Sequence, residues 1–261
     1  MPDPARVRID LDGGVADVRL TRADKHNGLD WAMFVALNEA LDELAGAGEA
    51  LRVVVLSGEG PSFCAGLDFR SLMAGDGHLA SEGFTRRDGE VANLAQRVAV
   101  GWRDLPVPVI AALRGACYGG GLQLALAADV RIAEASARLA VMEVRYGLVP
   151  DMGLSQTIVP LVRPDVAREL AYTGRVVDAA EALAIGLVTR LADDAHAAAR
   201  ALAGDIAAQS PDAIRGIKRL ARDAWGRPAA EALPLEAELQ RGIIGTPRQL
   251  EAAMRALAAR R

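Results

Sequence analysis

The chain has 261 residues, 51% of them apolar, with 30 basic and 34 acidic side chains, which suits one large domain or a domain with a helical appendage. Its formal charge of −4 gives no reason to expect nucleic acid or an anionic membrane as a partner, and no apolar run reaches the roughly 18 uncharged residues of a membrane span. Cys64 and Cys117 form no CxxC pair and His26, His78 and His196 lack ligand spacing, so zinc and disulfide frameworks give way to two buried thiols.

The N-terminal "MPDPARVRID" lacks the basic-then-apolar order of a signal peptide, and a cytoplasmic location is expected. The alternation in "VRIDLDGGVADVRL" then predicts two antiparallel strands around a Gly-Gly turn. From Asp30, a plausible N-cap, Met33, Phe34, Leu37, Leu41 and Leu44 fall at helical spacing, and "RVVVLSGEG" follows as a buried strand. A second round repeats this order, with the helical "EVANLAQRVAVGWRDL", the strand "PVIAALRG", a helix opening on Gly119-Gly120-Gly121 and the strand "DVRIAEA". Such alternation predicts an α/β fold with parallel strands. The stretch "MAGDGHLASEG", from Met73 to Gly83, is expected to be a mobile loop. From Asp193 to Arg261, Ala/Leu/Arg/Glu-rich segments broken at Ser210-Pro211, Gly226-Arg227-Pro228 and Thr246-Pro247 predict four successive helices. The expected division is therefore a core over residues 1–192 and a helical region over 193–261 that caps the core or packs on another subunit.

The glycine-rich turns first suggest nucleotides, but the GxGxxG template meets Leu124 when started at Gly119 and Phe63 when started at Gly58. GxxxxGK[ST] and GxSxG are absent as well. Two backbone features remain: "PSFCAGLD" after one strand, and the triple-glycine helix start after another. A glycine-rich helix N-terminus has unpaired N–H groups, and an amide from the Ala65-Gly66-Leu67 turn would complete a pair able to hold an oxyanion. Glycines that merely allow tight helix–strand packing would read the same way.

Together with "LTRADKHNGLD", "GACYGGGLQLALAADVRIAEA", "VMEVRYGLVPDMG" and "AYTGRVVDAAEALAIGLVTRL", these motifs resemble the crotonase (enoyl-CoA hydratase/isomerase) superfamily over roughly four fifths of the chain. The resemblance implies a crotonase-like spiral of ββα units with a C-terminal helical region, assembled as homo-trimers or hexamers. It implies an acyl-CoA substrate whose thioester oxygen is held by the backbone amides of Leu67 and Gly120, with Gly66, Gly119, Gly121 and Gln123 lining the site. By motif position Lys25, His26 and Arg70 would bind the CoA moiety. No metal or redox cofactor is implied, since CoA enters as part of the substrate.

A hydratase of this family has glutamates at the positions of Gln123 and Glu143, and an amide cannot serve as a general base. The frame "EVxxGLxxDxG" with Glu143 and Asp151 is similar to dienoyl-CoA isomerase, where one carboxylate removes a proton and another returns one further along the chain. That isomerase carries an aspartate in place of Gln123. The expectation is therefore proton-transfer isomerisation by Glu143 and Asp151, with enoyl-CoA hydration and a non-catalytic acyl-CoA-binding role as alternatives. For Asp151 a purely structural role, capping a helix that starts at Met152, stands beside the catalytic one.

Overall fold

The computed structural model of the chain describes residues 3, 5–73 and 78–258. The strands are β1 (Val7–Asp12), β2 (Val15–Leu20), β3 (Val53–Gly58), β4 (Val109–Leu113), β5 (Ala116–Tyr118), β6 (Val130–Ala133), β7 (Arg138–Ala140), β8 (Val177–Asp178) and β9 (Arg190–Leu191). The predicted hairpin is β1 and β2, paired antiparallel with Val7 opposite Leu20 and turning at Gly13-Gly14, both at positive φ. From β2 onward the larger sheet runs parallel in the order β1-β2-β3-β4-β6-β9, while β5-β7-β8 form a second sheet. Strand β3 is buried at all six positions, as a strand covered on both faces should be.

The helices in chain order are α1 (Trp31–Gly46), α2 (Phe69–Met73), α3 (His78–Ser81), α4 (Leu94–Asp104), α5 (Gly120–Leu126), α6 (Leu154–Thr157), α7 (Pro164–Thr173), α8 (Ala179–Ala184), α9 (Ala195–Ala207), α10 (Pro211–Asp223), α11 (Ala229–Ile243) and α12 (Pro247–Ala258). In α1 the Asp30 side chain accepts the Met33 N–H at 2.8 Å, and Met33, Phe34, Leu37, Leu41 and Leu44 are buried. Helix α4 starts at Leu94 and not at Glu90, because Asn93 and Gln96 form a reciprocal capping box there. The last four helices break where Pro211, Pro228 and Pro247 predicted. In the expected loop from Met73 to Gly83, residues 78–81 form the single turn α3, whereas residues 74–77 lie outside the described residues.

The chain path repeats. Strand β4 in the large sheet leads to β5 in the small one and then to α5; β6 leads to β7 and then to a 3-10 turn at Glu143–Tyr146. The first pass is less regular: after β3, Cys64 makes a lone parallel bridge to Cys117 of β5 before the chain enters α2. This is the ββα spiral. Its consequence is that the segments following β3, β5 and β7 lie side by side.

Helix α9 covers the outer face of the large sheet, with Ala195, Ala199 and Ala203 buried against Val53, Val55, Ile110 and Ile132. On the same face Asp17 is 1% exposed and bonds His196 Nε2 at 3.1 Å and the Arg19 guanidinium. Burial alone would push the Asp17 carboxyl up; the hydrogen bonds from His196 and Arg19 together outweigh it and hold its pKa at about 2. Lys218 of α10 is buried on Asp129 at 2.6 Å, and Asp129 in turn accepts the Val109 N–H at the start of β4. Because the folded pKa of Asp17 lies below its unfolded value, its contribution is fully present above about pH 4 and is lost as pH falls through about 2. Asp17→Asn should therefore lose on the order of 2 kcal/mol at pH 7, and the gap to the parent protein in urea titrations should close toward pH 2.

Candidate functional site

Pairing of β5 with β7 brings the glycine turn next to the Glu143 turn: Tyr118 lies opposite Ala140, and the Gly119 N–H donates to the Ala140 carbonyl at 2.9 Å. Gly119, at φ +51, is the N-cap of α5, and a Cβ on it would sit 3.4 Å from Glu143 Oε1. Gly66 turns at φ +87, where a Cβ would stand 2.6 Å from the Tyr118 carbonyl and 3.5 Å from the Gly120 nitrogen. The turn carrying Leu67 and the start of α5 are thus in backbone contact. Among the described residues, neither the Leu67 nor the Gly120 N–H has a protein acceptor.

Packing explains another of the glycines. A Cβ on Gly121 would overlap Cys64, and Gly121 and Gln123 lie behind the cavity instead of lining it as expected from the sequence. The reason is helical geometry: from the Gly119 cap these positions turn inward, and Gln123 is 1% exposed. Cys64 and Cys117 are buried free thiols, and burial pushes Cys64 up to about 12.

A cavity of about 560 Å³ opens in front of the two free N–H groups. Gly66, Leu67, Gly119, Gly120, Glu143 and Asp151 all line it. Its remaining wall is largely apolar, including Phe34, Phe69, Leu79, Phe84, Leu148 and Val149, with Phe69 and Tyr146 stacked at 4.2 Å between ring centres. A larger groove of about 820 Å³ between α1, α4 and α6 contains none of these residues.

Inside the cavity the two carboxyls are held differently. Glu143 Oε1 accepts from Gln123 Nε2 at 2.6 Å, and Oε2 is buried without a hydrogen-bond partner. Burial, reinforced by the charge of Asp151, outweighs the Gln123 bond and raises the Glu143 pKa above the usual carboxylate range. Asp151 opens into the cavity, and desolvation by its surroundings raises its pKa too. The capping alternative for Asp151 does not hold, since α6 begins at Leu154 with Gly153 as its N-cap, and no helix starts at Met152.

Lys25, His26 and Arg70 are exposed and do not line the cavity. Arg70 lies on α2, and the loop of Lys25 and His26 is bound to the Leu67 turn: the His26 carbonyl accepts the Ala65 N–H at 2.9 Å, and His26 Nδ1 lies 3.0 Å from Ser62 Oγ. Buried Asn27, at φ +54, donates to the Glu59, Ser62 and Phe63 carbonyls. Beyond it Arg22 pairs with Asp68 at 2.8 Å and donates to the Gly28 carbonyl. Sequence reasoning did not single out Arg22, Asp68 or the Phe69–Tyr146 stack. A left-handed Asn before Gly is a turn signal that could have marked Asn27; the stack joins segments distant in sequence and leaves no local trace.

Residues 10–256 match the family model described as enoyl-CoA hydratase/isomerase. The chain belongs to the enoyl-CoA hydratase/isomerase family. It is 35% identical to enoyl-CoA hydratase domain-containing protein 2 of Homo sapiens over 78% of this chain and 69% of that one. It is 33% identical to the Delta(3,5)-Delta(2,4)-dienoyl-CoA isomerase of Mus musculus over 78% of this chain and 64% of that one. The crystal structure of enoyl-CoA hydratase from Bacillus anthracis superposes with a TM-score of 0.88 at 29% identity, covering 98% of this chain and 97% of that one. As a member of this enoyl-CoA hydratase/isomerase family the protein is an acyl-CoA enzyme with the crotonase fold. Among the described residues no helix is long and apolar enough to cross a membrane.

Gly119→Ala should cost about 1–3 kcal/mol from its positive φ and shift the backbone that presents the Gly120 N–H, abolishing most turnover. Gly13→Ala, strained at φ +56 with open space around it, should lose comparable stability and keep turnover. Denaturant titrations and an acyl-CoA assay on both variants provide the comparison.

Proposed function

We propose that the protein shifts a double bond in an acyl-CoA by proton transfer, with Leu67 and Gly120 as the oxyanion hole and Glu143 and Asp151 as the proton carriers. The thioester oxygen accepts both free N–H groups, each worth about 2.7–4 kcal/mol to the developing negative charge. Glu143 removes a proton from an acyl carbon, the C–H electron pair delocalises as a dienolate onto the thioester oxygen, and Asp151 returns a proton further along the chain. Atoms and electrons balance without any redox partner. Lys25, His26 and Arg70 would hold the CoA phosphates and adenine outside the cavity.

The observation that carries this reading is that both carboxyls line the cavity of the free amides and both are biased toward the protonated form. One ionised and one protonated at the same pH is what a relay needs. Gln123 supports it further: its amide is occupied at both ends, on Glu143 and on the Met152 N–H, and it has no proton to exchange with water. Hydration is the second reading, favoured by the bare Glu143 Oε2, which could hold a water.

Incubating a 2-enoyl-CoA and a 3,5-dienoyl-CoA in deuterated water and weighing the products separates the two. Deuterium gained without a whole water, mainly in the dienoyl ester, is expected; net addition of water to the enoyl ester would establish hydration instead. Glu143→Gln and Asp151→Asn should each slow turnover by about 10²–10⁴-fold and leave binding of the CoA ester nearly intact.

The cavity wall also bears on the acyl group. No Lys, Arg or His lines it among the described residues, and residues 74–77 read Ala-Gly-Asp-Gly, without a cation. An uncharged hydrocarbon chain fits such a wall, whereas a terminal carboxylate would be buried unpaired. Competition assays should show kcat/KM about 10²-fold lower, or less, for a carboxylate-ended acyl group than for a neutral one of equal length.

The helical region over residues 193–261 would both cap the core and join subunits into trimers or hexamers. Helices α11 and α12 bury no residue within the chain and expose Leu233, Leu250, Met254 and Leu257.

A further inference from the structure

We propose that Gln123 is a positioning residue: it holds Glu143 by one oxygen only, leaving Oε2 as the proton-accepting atom, and anchors the Asp151 segment to the same side chain so that the two carboxyls keep one spacing. This rests on Glu143 and Asp151 being the proton carriers.

The geometry is specific to an amide. Gln123 Nε2 donates to Glu143 Oε1 at 2.6 Å, and Gln123 Oε1 accepts the Met152 N–H at 2.9 Å. Glu143 arrives on the 3-10 turn after β7, and Met152 directly follows Asp151, so one buried side chain on α5 spans both carboxyl-bearing segments. A carboxylate at position 123 could accept from Met152 but could donate to Glu143 only while protonated. An apolar side chain could do neither. The amide does both at any pH, because it does not titrate.

The bond also decides which Glu143 oxygen can react. A carboxylate oxygen held by a short N–H bond is the weaker proton acceptor of the two, which leaves Oε2, buried and without a hydrogen-bond partner, as the better acceptor on a residue that lines the cavity. The titratable groups that line the cavity with Glu143 are Asp151, Tyr118 of β5 and Tyr146 of its own turn; the wall contributed by α1, α2, α3 and α4 is Phe34, Phe69, Leu79 and Ala95. No cation lines the cavity among the described residues, so the ionised form of Glu143 is favoured only by neutral donors, the backbone N–H groups of Glu143 and Met142 and the Gln123 side chain, of which Gln123 is the one a substitution can remove.

Carbon-13 NMR of the Glu143 carboxyl, titrated in the parent protein, in Gln123→Met and in Gln123→Glu, tests this without reference to which reaction is catalysed. In Gln123→Met, which keeps the volume but loses donor and acceptor, the Glu143 carboxyl should titrate at higher pH than in the parent. Its kcat should fall by about 10²-fold with KM little changed, and the acidic limb of kcat/KM should move up by the same amount as the NMR titration. In Gln123→Glu two carboxyls in hydrogen-bond contact share one proton, so the new side chain donates to Glu143 and still accepts from Met152, and most of kcat should return. An unmoved Glu143 titration in Gln123→Met would overturn the proposal, as would equal losses of kcat in the two variants. Should Gln123→Met fail to fold, Gln123→Glu alone decides: the first proton lost from the pair made by Glu143 and the introduced carboxyl must appear at lower pH than the second by more than the ordinary spread of two independent glutamates. Hydration found in place of isomerisation would leave the NMR result standing, so the two failures are distinguishable.

Discussion

The turn at Gly66 lies so close to Tyr118 that no side chain fits between them, and this backbone contact sets the distance between the Leu67 and Gly120 N–H groups. Several otherwise unrelated features serve it. The Cys64–Cys117 bridge aligns the segment after β3 with β5, Gly121 lets α5 close onto Cys64, and Asn27 fastens the preceding loop to the carbonyls around Ser62. Buried backbone groups that find no partner are costly, and the Leu67 and Gly120 N–H groups, on residues that line one cavity, have no protein acceptor among the described residues. A carbonyl oxygen of the substrate is the partner that such a pair suits.

The second constraint is desolvation. An apolar wall suits a hydrocarbon chain, and desolvation also makes carboxylates hard to ionise, which raises the pKa of the part-buried Glu143 and, to the extent that its more exposed carboxyl is desolvated, of Asp151. At Glu143 the Gln123 side chain opposes that tendency together with backbone N–H groups, whereas Asp151 has only its own backbone to oppose it. The relatives of this chain include proteins named as hydratases and as an isomerase, so the family membership alone does not choose between those reactions.

Much of the fold was legible because local signals agreed. The Gly13-Gly14 hairpin, the Asp30 cap of α1, the apolar runs of β3 and β4 and the proline breaks before α10, α11 and α12 each lie within a short window of sequence. The small sheet was not legible, since β5, β7 and β8 are two or three residues long and exist only through pairing with distant partners. The same division holds at the site. Motif resemblance reached Leu67, Gly120, Glu143 and Asp151, all of which line the cavity, but the inward turn of Gln123 and the contact of Tyr146 with Phe69 depend on tertiary packing. Asp151 misled in one respect: Asp after Pro is a good helix start, yet Gly153 at φ +90 delays the helix to Leu154.

The most direct measurement is the infrared stretch of an acyl-CoA labelled with carbon-13 at the thioester carbonyl, recorded free and bound to the Glu143→Gln protein so that no turnover occurs. Two backbone donors on the oxygen weaken the C=O bond, so the bound band should lie at lower frequency than the same ester in water. A bound band at or above the aqueous frequency would mean that the thioester oxygen does not sit between Leu67 and Gly120, and the mechanism built on that pair would fall.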